Sequence, residues 1–461
     1  MFLIFILSVE SFAMDQSLQQ LFKSSEFKEG EFSILIQGDE TKNSYELNSN
    51  NSRIPASLSK LVVAGMAYHY LEPNFVWTTK LLSLSEPKNE VLKGDLCLYG
   101  GGNPSFLTEQ AWVLANNFLR SDIRKIEGDL IVDESYFDKD YFSDTRMSKR
   151  QLRAYDAPVS GASFNWNSVN IYLKPGKIGE KAKAYTTPEL NYVRLNNKVI
   201  VHKGRTQVQI KRLVHKDYEE FVLTGKLSHL DLEKVFYRPV QEAGRFTGEN
   251  FKENLEKLGV SVKGKVRVSS CAAYKNELAS VDSKELALVV RDMMKYSNNF
   301  LAEILSKTIV REKLGVEGSL DKLAPLVAGY LKEAMNLAKD ETYVYRSVSG
   351  LSYKNRFSAK QLFNLLNYEK LKFSHFYEFA SSLPIGGVDG TLKSRFKGFD
   401  SIRFRAKTGL LNNVVSLAGY GQTKTNKNFQ FVLIYNGQKS KPVWKVQQFF
   451  DKILIDYVQK N

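Results

Sequence analysis

Cysteine and histidine are scarce in this chain of 461 residues. The two cysteines, Cys97 and Cys271, permit one disulfide but exclude a disulfide-built scaffold and a cysteine-rich metal site. The five histidines are dispersed, and none has the spacing of metal ligands or the neighbours of a Ser-His-Asp triad. We therefore expect no metal site and, if the protein is a serine enzyme, a base other than histidine.

Long apolar runs are also missing. No stretch beyond residue 13 approaches the ~20 apolar residues that a membrane span needs, so we predict no transmembrane segment. Residues 1–13 form a short apolar run that ends in Ser-Phe-Ala, which is typical of an export signal and its cleavage site. No Lys or Arg precedes this run and Glu10 interrupts it, so a buried N-terminal strand is the alternative. We predict a signal peptide and a periplasmic or secreted protein.

The composition is that of a folded globular protein with an excess of positive charge. Hydrophobic residues make up 43% of the chain and the formal net charge is +15. The length predicts two or three domains. The net charge suggests attraction to a polyanion such as nucleic acid, an anionic cell-wall polymer or a lipid surface. The Lys and Arg residues are scattered without a long basic run, so a well-solvated basic surface is the alternative. We predict no nucleic-acid partner.

One stretch combines a nucleophile with a candidate base. In Ile54-Pro-Ala-Ser-Leu-Ser-Lys60 and the apolar run after it, the spacing predicts a buried helix that begins near Pro55. Ser57 and Lys60 then share one helix face. A partly buried lysine near other cations can lose its proton and activate a serine hydroxyl. The same Ser-x-x-Lys spacing also starts at four other serines, so by itself it equally fits a solvated helix face (Ser25, Ser85, Ser319 and Ser394).

The remainder of the chain predicts a discontinuous organisation. An N-terminal strand pair and three C-terminal strands, covered by the first and last helices, form one α/β layer domain from residues 14–85 and 276–461. Between them, residues 86–275 consist of short strands and turns and form a β-rich insertion of one or two lobes. Polar residues at 296–299 interrupt two helical runs, which indicates a functional corner or an ordinary helix cap.

Three elements follow one another along the chain: Ser57-x-x-Lys60, Ser297-x-Asn299 and Lys407-Thr408-Gly409. This set resembles the signature of penicillin-binding proteins and serine β-lactamases. The long insertion between the first two motifs is similar to that of the class C low-molecular-mass penicillin-binding proteins, a D-alanyl-D-alanine carboxypeptidase/endopeptidase family. Further stretches that resemble its pattern are Leu92-Lys-Gly-Asp-Leu, Tyr155-Asp-Ala-Pro-Val-Ser, Ser349-Gly-Leu-Ser, Leu383-Pro-Ile-Gly-Gly-Val-Asp-Gly-Thr and Ala406-Lys-Thr-Gly.

The resemblance implies a role for each motif residue. Ser57 attacks the carbonyl of the penultimate D-alanine of a peptidoglycan stem, and Lys60 takes its proton with help from the charge of Lys407. Ser297 relays a proton to the leaving amine, and Asn299 binds the substrate amide. Lys407 and Thr408 meet the substrate carboxylate. Gly409 permits close approach of the strand, and the N–H groups of Leu410 and Ser57 form the oxyanion hole.

The resemblance implies no cofactor, peptidoglycan peptide stems as substrate and β-lactam antibiotics as covalent inhibitors. Leu410 and Leu411 depart from the small polar residues that are frequent after Lys-Thr-Gly. Two other functions fit the same motifs, a β-lactamase or esterase on this fold and a non-catalytic cell-wall-binding protein. The oligomeric state and the balance between carboxypeptidase and endopeptidase stay open at this point.

Overall fold

A computed structural model describes residues 16–39, 44–143, 156–187, 189–337, 341–396, 399, 403–438 and 441–461. The predicted signal peptide at 1–13 and Tyr155 lie outside these residues. The chain divides into two compact units. The first takes its described residues from Met1–Gly65, Met294–Ser297 and Ala328–Asn461, and the second from Met66–Met293 and Asn298–Val327. The domain boundaries expected from the sequence, at 85 and 276, stay a prediction.

The helices and strands of the described residues are numbered in chain order. The helices are α1 (Gln16–Lys23), α2 (Ser59–Tyr70), α3 (Thr108–Leu119), α4 (Ala243–Lys257), α5 (Leu286–Tyr296), α6 (Asn299–Leu314), α7 (Ala324–Ala334), α8 (Ala359–Lys370), α9 (Phe376–Ser382) and α10 (Val443–Lys460). The strands are β1 (Phe32–Gly38), β2 (Ser44–Leu47), β3 (Thr78–Ser83), β4 (Val91–Leu92), β5 (Leu96–Tyr99), β6 (Lys125–Ile126), β7 (Leu130–Asp133), β8 (Ser168–Lys174), β9 (Lys183–Thr187), β10 (Val193–Asn197), β11 (Ile200–His202), β12 (Gln207–Val214), β13 (Glu219–Ser228), β14 (Lys234–Pro239), β15 (Ser261–Val262), β16 (Val266–Val268), β17 (Asn276–Asp282), β18 (Phe404–Leu411), β19 (Val414–Gln422) and β20 (Asn428–Asn436).

The first unit is built on an antiparallel sheet of five strands in the order β18-β19-β20-β1-β2. The N-terminal hairpin therefore adds to the three C-terminal strands, as the sequence predicts. Alternate residues of β20 point to opposite faces. On one face they join an aromatic core with α1 and α10. On the other, α8 packs against β1, β19 and β20. Strand β18 lies at the edge of this sheet and carries the Lys407-Thr408-Gly409 motif.

The second unit is rich in short strands. They form a five-stranded sheet in the order β16-β7-β5-β3-β17 and three smaller sheets. One buried apolar cluster runs through all four sheets and includes residues of α3 and α4.

Cys97 and Cys271 form a disulfide within the second unit. Both side chains are buried against Ile131, so the bridge joins β5 to the segment after β16 across an apolar contact. The sequence showed that one disulfide was possible but not whether the two cysteines meet.

No helix among the described residues is both long and apolar enough to cross a membrane.

Candidate active site

Ser57 lies on a tight 3₁₀ turn, Ala56–Leu58, and the α-helix α2 begins after it at Ser59. The sequence predicted a helix from Pro55, and that start is wrong by one turn. The physical reason is Ala56, whose φ of +49° is incompatible with an α-helix running through it. Ser57 is consequently held half-buried in a strained turn, and the buried helix follows it.

Lys60 lies one turn further on and is fully buried. Its Nζ donates to Ser57 Oγ at 3.2 Å and also to the carbonyl oxygen of Ser349. The ammonium or amine of Lys60 is therefore directed at the serine by the helix and by a loop from a distant part of the chain. The predicted meeting of Ser57 and Lys60 is found in the structure.

The loop that carries Ser349 is fixed by Asn355, which is fully buried. The Asn355 amide donates to Ser59 Oγ at 2.8 Å and to the carbonyl of Ser347 at 2.7 Å, and its Oδ1 accepts from the backbone N–H of Ser347 at 2.9 Å. These bonds tie the loop to the first residue of α2. In the sequence, Ser349-Gly-Leu-Ser is recognisable only by its resemblance to the family pattern, and no local signal indicates the role of Asn355.

Two glycines allow backbone segments to approach the Ser57 turn. A Cβ on Gly350, which has a φ of +77°, would lie 2.0 Å from the Ala56 carbonyl oxygen. A Cβ on Gly409 would lie 2.2 Å from Ser416 Oγ and 3.0 Å from the backbone nitrogen of Ser57. Strand β18 is therefore in direct contact with the Ser57 turn because residue 409 has no side chain.

Lys407 extends from β18 toward the residue that follows α5. Its Nζ donates to Ser297 Oγ at 2.8 Å and to the carbonyl of Thr408 at 2.6 Å. Ser297 adopts a φ of +55°, so a strained backbone presents its hydroxyl. The next residue, Asn298, caps α6 by accepting from the N–H of Leu301. The predicted helix cap is found at Asn298. Ser297 contacts Lys407 of another motif, and the predicted functional role of this corner stays a prediction.

Burial lowers the pKa of Lys407 well below the usual range of lysine, and the charge of Lys60 lowers this pKa further. Two neighbouring ammonium groups in a water-poor site repel each other, and the pair gives up a proton more readily than an exposed lysine does. Because the two amino groups interact, the lowered pKa describes the loss of one proton from the pair of lysines and not from one residue alone. Lys60 is the lysine in contact with Ser57, so a neutral Lys60 amine is placed to accept the serine proton.

The remaining predicted residues are placed as follows. Thr408 Oγ1 donates to Thr391 Oγ1 at 2.7 Å. Leu410 follows Gly409 on β18, and its side chain is half exposed. Asn299 is the first residue of α6 and is buried, and it belongs to the second unit, so its role stays a prediction.

The peptide groups of β18 point alternately toward β19 and away from it. The N–H of Ala406 donates to the carbonyl of Pro384, and the carbonyl of Phe404 accepts from the N–H of Gly386, both on the side away from β19. Residues two apart share a direction, so the peptide groups of Thr408 and Leu410 also point away from β19. The edge beside Ser57 therefore offers the N–H and C=O of Leu410 to a ligand.

Among the described residues, no group of three or more His, Cys, Asp or Glu side chains could hold a metal ion. The arrangement instead brings together a serine hydroxyl, two buried lysines and a second serine. This set can perform acyl transfer by a serine nucleophile with a lysine base.

The comparisons with known proteins agree with this chemistry. Residues 14–454 match the model of the D-Ala-D-Ala carboxypeptidase 3 (S13) family. A D-alanyl-D-alanine carboxypeptidase from Actinomadura sp. (strain R39) is 28% identical over 90% of this chain and 79% of its own length. The D-alanyl-D-alanine carboxypeptidase DacB of Haemophilus influenzae is 25% identical over 85% of this chain and 82% of its own length.

Solved structures show the same fold. Penicillin binding protein 4 from Haemophilus influenzae has a TM-score of 0.81 at 22% identity, covering 96% of this chain and 99% of that one. A predatory peptidoglycan endopeptidase from Bdellovibrio bacteriovorus has a TM-score of 0.54 at 16% identity, covering 93% of this chain and 92% of that one. The predicted fold class, a penicillin-binding-protein/serine β-lactamase-like α/β domain with a β-rich insertion, is confirmed.

The predictions of a class C low-molecular-mass penicillin-binding protein and of a serine DD-peptidase are likewise confirmed. The chain belongs to the D-Ala-D-Ala carboxypeptidase 3 (S13) family.

Proposed function

We propose that this protein is an exported peptidase that cleaves the bond after the penultimate D-alanine of peptidoglycan stems, through an acyl-enzyme on Ser57. The observation that carries the proposal is the contact of Lys60 Nζ with Ser57 Oγ, 3.2 Å away, inside a buried site that also holds Lys407. The substrate class comes from the family and from the names of the relatives.

In the first step, Ser57 Oγ attacks the D-alanyl carbonyl while neutral Lys60 accepts the hydroxyl proton. The developing oxyanion is stabilised by the N–H groups of Ser57 and Leu410, because Gly409 brings β18 against the turn. The geometry of β18 supports this assignment, since the peptide group of Leu410 points away from β19.

In the second step, the amide bond breaks and the leaving amine must gain a proton. Ser297, which accepts from Lys407 at 2.8 Å, can hand on its own proton and recover one from Lys407. The products are the acyl-enzyme and either free D-alanine or the amine of a formerly crosslinked stem. Lys60 then passes the proton it took from Ser57 to Lys407, which returns both lysines to their starting states. Neutral Lys60 accepts a proton from the water that hydrolyses the ester, and this proton returns to Ser57 Oγ as the acyl group leaves. Asn299 is proposed to bind the substrate amide.

Two further features belong to the proposal. Export by residues 1–13 would place the enzyme in the periplasm or outside the cell. A β-lactam ring would acylate Ser57 in place of the peptide, and the Haemophilus influenzae protein has been solved with a β-lactam. The basic surface suits an anionic cell wall.

The test is incubation of the purified protein with crosslinked muropeptide dimers and with single pentapeptide stems, with and without penicillin, followed by mass analysis. Penicillin-sensitive conversion of dimers to monomers identifies an endopeptidase, and loss of one terminal alanine identifies a carboxypeptidase. Rapid release of hydrolysed penicillin without cleavage of either substrate would instead indicate a β-lactamase.

Two matched variants locate the nucleophile. Ser57→Ala should abolish both cleavage and penicillin labelling. Ser394→Ala removes a serine from another Ser-x-x-Lys sequence and should leave both unchanged. Labelling that persists in Ser57→Ala would point to a different nucleophile.

A further inference from the structure

A loop that none of the three motifs includes lies against the Lys407-Thr408-Gly409 strand. In this loop, residues 383–391, the carbonyl of Pro384 accepts from the N–H of Ala406 at 2.9 Å and the N–H of Gly386 donates to the carbonyl of Phe404 at 2.9 Å. These two bonds cover the edge of β18 immediately before Lys407. The loop then turns so that Thr391 meets Thr408.

The turn of this loop is held by an ion pair between a buried lysine and a partly exposed aspartate. Lys295, only 8% exposed, donates from Nζ to Asp389 Oδ2 at 2.7 Å and to the carbonyl of Leu383 at 2.7 Å. The other oxygen of Asp389 accepts from the N–H of Ile385 at 2.8 Å. The ammonium and carboxylate together therefore close the loop on itself.

The same pair joins the loop to the helix end that presents Ser297. Lys295 lies in the last turn of α5, two residues before Ser297. A Cβ on Gly390, which has a φ of +53°, would lie 2.5 Å from the Lys295 carbonyl oxygen, so the loop and the helix end are in backbone contact. The position of Thr391 is thereby coupled to the position of the Ser297 hydroxyl.

Thr391 ends this loop as an exposed residue whose hydroxyl accepts from Thr408 at 2.7 Å. Accepting that proton leaves the proton of Thr391 directed elsewhere, toward solvent or a ligand. Two hydroxyls at this separation beside Lys407 match the two oxygens of a carboxylate, and hydrogen bonds to a charged acceptor are stronger than those to a neutral one.

We propose that Thr391 is a second hydroxyl that recognises the terminal carboxylate of the substrate, and that Lys295 and Asp389 are positioning residues that hold it beside Thr408. This inference rests on the proposed function. It assigns selectivity for a free D-alanyl carboxylate to the 383–391 loop as well as to β18.

The experiment compares substrates with and without the carboxylate. The kcat/KM for an acyl-D-Ala-D-Ala peptide and for its C-terminal amide, and the acylation rates with benzylpenicillin and its methyl ester, are measured for each variant. Thr391→Val keeps the shape and removes the hydroxyl. Thr391→Val should lower the ratio of the rate with the carboxylate compound to the rate with its neutral counterpart about 10-fold or more, as the loss of a hydrogen bond to a charged group does. Thr391→Ser, which keeps the hydroxyl, should retain the wild-type ratio.

Variants of the ion pair test the positioning role. Lys295→Met and Asp389→Asn should lower the same ratio, mainly through KM, and Lys295→Met should add little to Thr391→Val because both act on one contact. Thr425→Val, at an exposed threonine of the β19–β20 hairpin, is the matched control and should leave the ratio unchanged.

The outcomes separate this inference from the proposed function. A wild-type protein that reacts with none of the four compounds contradicts the proposed function, and the inference falls with it. The inference alone is overturned if the wild-type protein reacts but Thr391→Val leaves the ratio of carboxylate to neutral rates unchanged. An equal loss of rate with both compounds of each pair leaves that ratio unchanged and has the same meaning. Because Thr391 is exposed, this variant tests the contact even where Lys295→Met fails to fold.

Discussion

A Cβ atom on Gly409 would lie 3.0 Å from the backbone nitrogen of Ser57. Gly409→Ala should therefore push β18 away from the nucleophile turn and displace the N–H of Leu410 from the oxyanion position. We expect penicillin acylation to slow about 100-fold or more, the usual effect of losing one oxyanion donor. Stopped-flow acylation kinetics measure this.

The matched control for Gly409→Ala is Gly176→Ala, because a Cβ at Gly176 would meet nothing within 4 Å. The control should acylate like the wild type. Equal acylation by Gly409→Ala and Gly176→Ala would show that the close approach of β18 is not needed.

The lysine pair predicts a dependence of acylation on pH. Burial and the charge of Lys60 lower the pKa of Lys407, so the pair carries one proton fewer than two exposed lysines over a range below their ordinary pKa. As the pH falls through the lowered pKa, the second proton returns and no neutral amine is left to accept the Ser57 proton. Acylation should therefore rise with pH to a plateau.

Lys407→Met tests the origin of that pH dependence. It removes the cation next to Lys60, so the pH at which acylation reaches half of its plateau rate should rise. This shift is expected even if the plateau rate itself is lower than in the wild type. The rate is followed with penicillin across a pH series under single-turnover conditions. An unmoved midpoint would mean that Lys407 does not influence the base.

Gly65 on α2 predicts a loss of stability on substitution. Alanine favours a helix by about 1 kcal/mol over glycine, but a Cβ at Gly65 would lie 1.8 Å from the Tyr330 hydroxyl and 2.8 Å from Glu369 Oε1. Tyr330 and Glu369 are fully buried and bonded to each other at 2.6 Å, so neither can move cheaply. We expect Gly65→Ala to lower the free energy of unfolding by about 1–3 kcal/mol, the typical effect of overpacking.

Denaturant unfolding measures the Gly65 effect, and Tyr330→Phe provides the second half of a double-mutant cycle. Removing the hydroxyl relieves the shortest overlap, so Gly65→Ala should cost less in the Tyr330→Phe background. Equal costs in both backgrounds would contradict the proposed clash.

The disulfide predicts redox-dependent stability. Cys97 and Cys271 are 174 residues apart in sequence, and a bridge across so long a loop restricts the unfolded chain strongly. The double variant Cys97→Ser/Cys271→Ser should lose about 2–4 kcal/mol of stability. Chemical denaturation with and without reductant measures this. Reductant should affect the wild type and leave the double variant unchanged.

The contact between Ser57 and Lys60, the candidate nucleophile and base, could be predicted from the sequence because both residues lie within one turn of local structure. The spacing of Ser57 and Lys60 places them on one face in either helical geometry, so the mistaken helix start did not disturb their meeting. The conformation of Ala56 could not be predicted from its residue type, since alanine rarely adopts a positive φ. Packing of Gly350 against that turn stabilises it instead.

The sequence also predicted the sheet, because β1, β19 and β20 are short apolar runs bounded by turn residues. These strands are buried on both faces of the sheet. It could not predict Asn355 or the pair of Lys295 and Asp389. The sequence alone does not distinguish a solvent-exposed polar residue in a helix or loop from a buried one with a distant partner. Asn355 and Ser347 are 8 residues apart in sequence, and Lys295 and Asp389 are 94 residues apart.

The sequence by itself indicated the family, the candidate nucleophile Ser57 and the order of the motifs, because each motif consists of residues that are only a few positions apart in the chain. Only the tertiary structure decided the contact between Lys407 and Ser297, which are 110 residues apart, and the contact between Thr391 and Thr408. Such contacts depend on sheet order and loop closure. These are set by the packing of the whole first unit and not by any local preference of the chain.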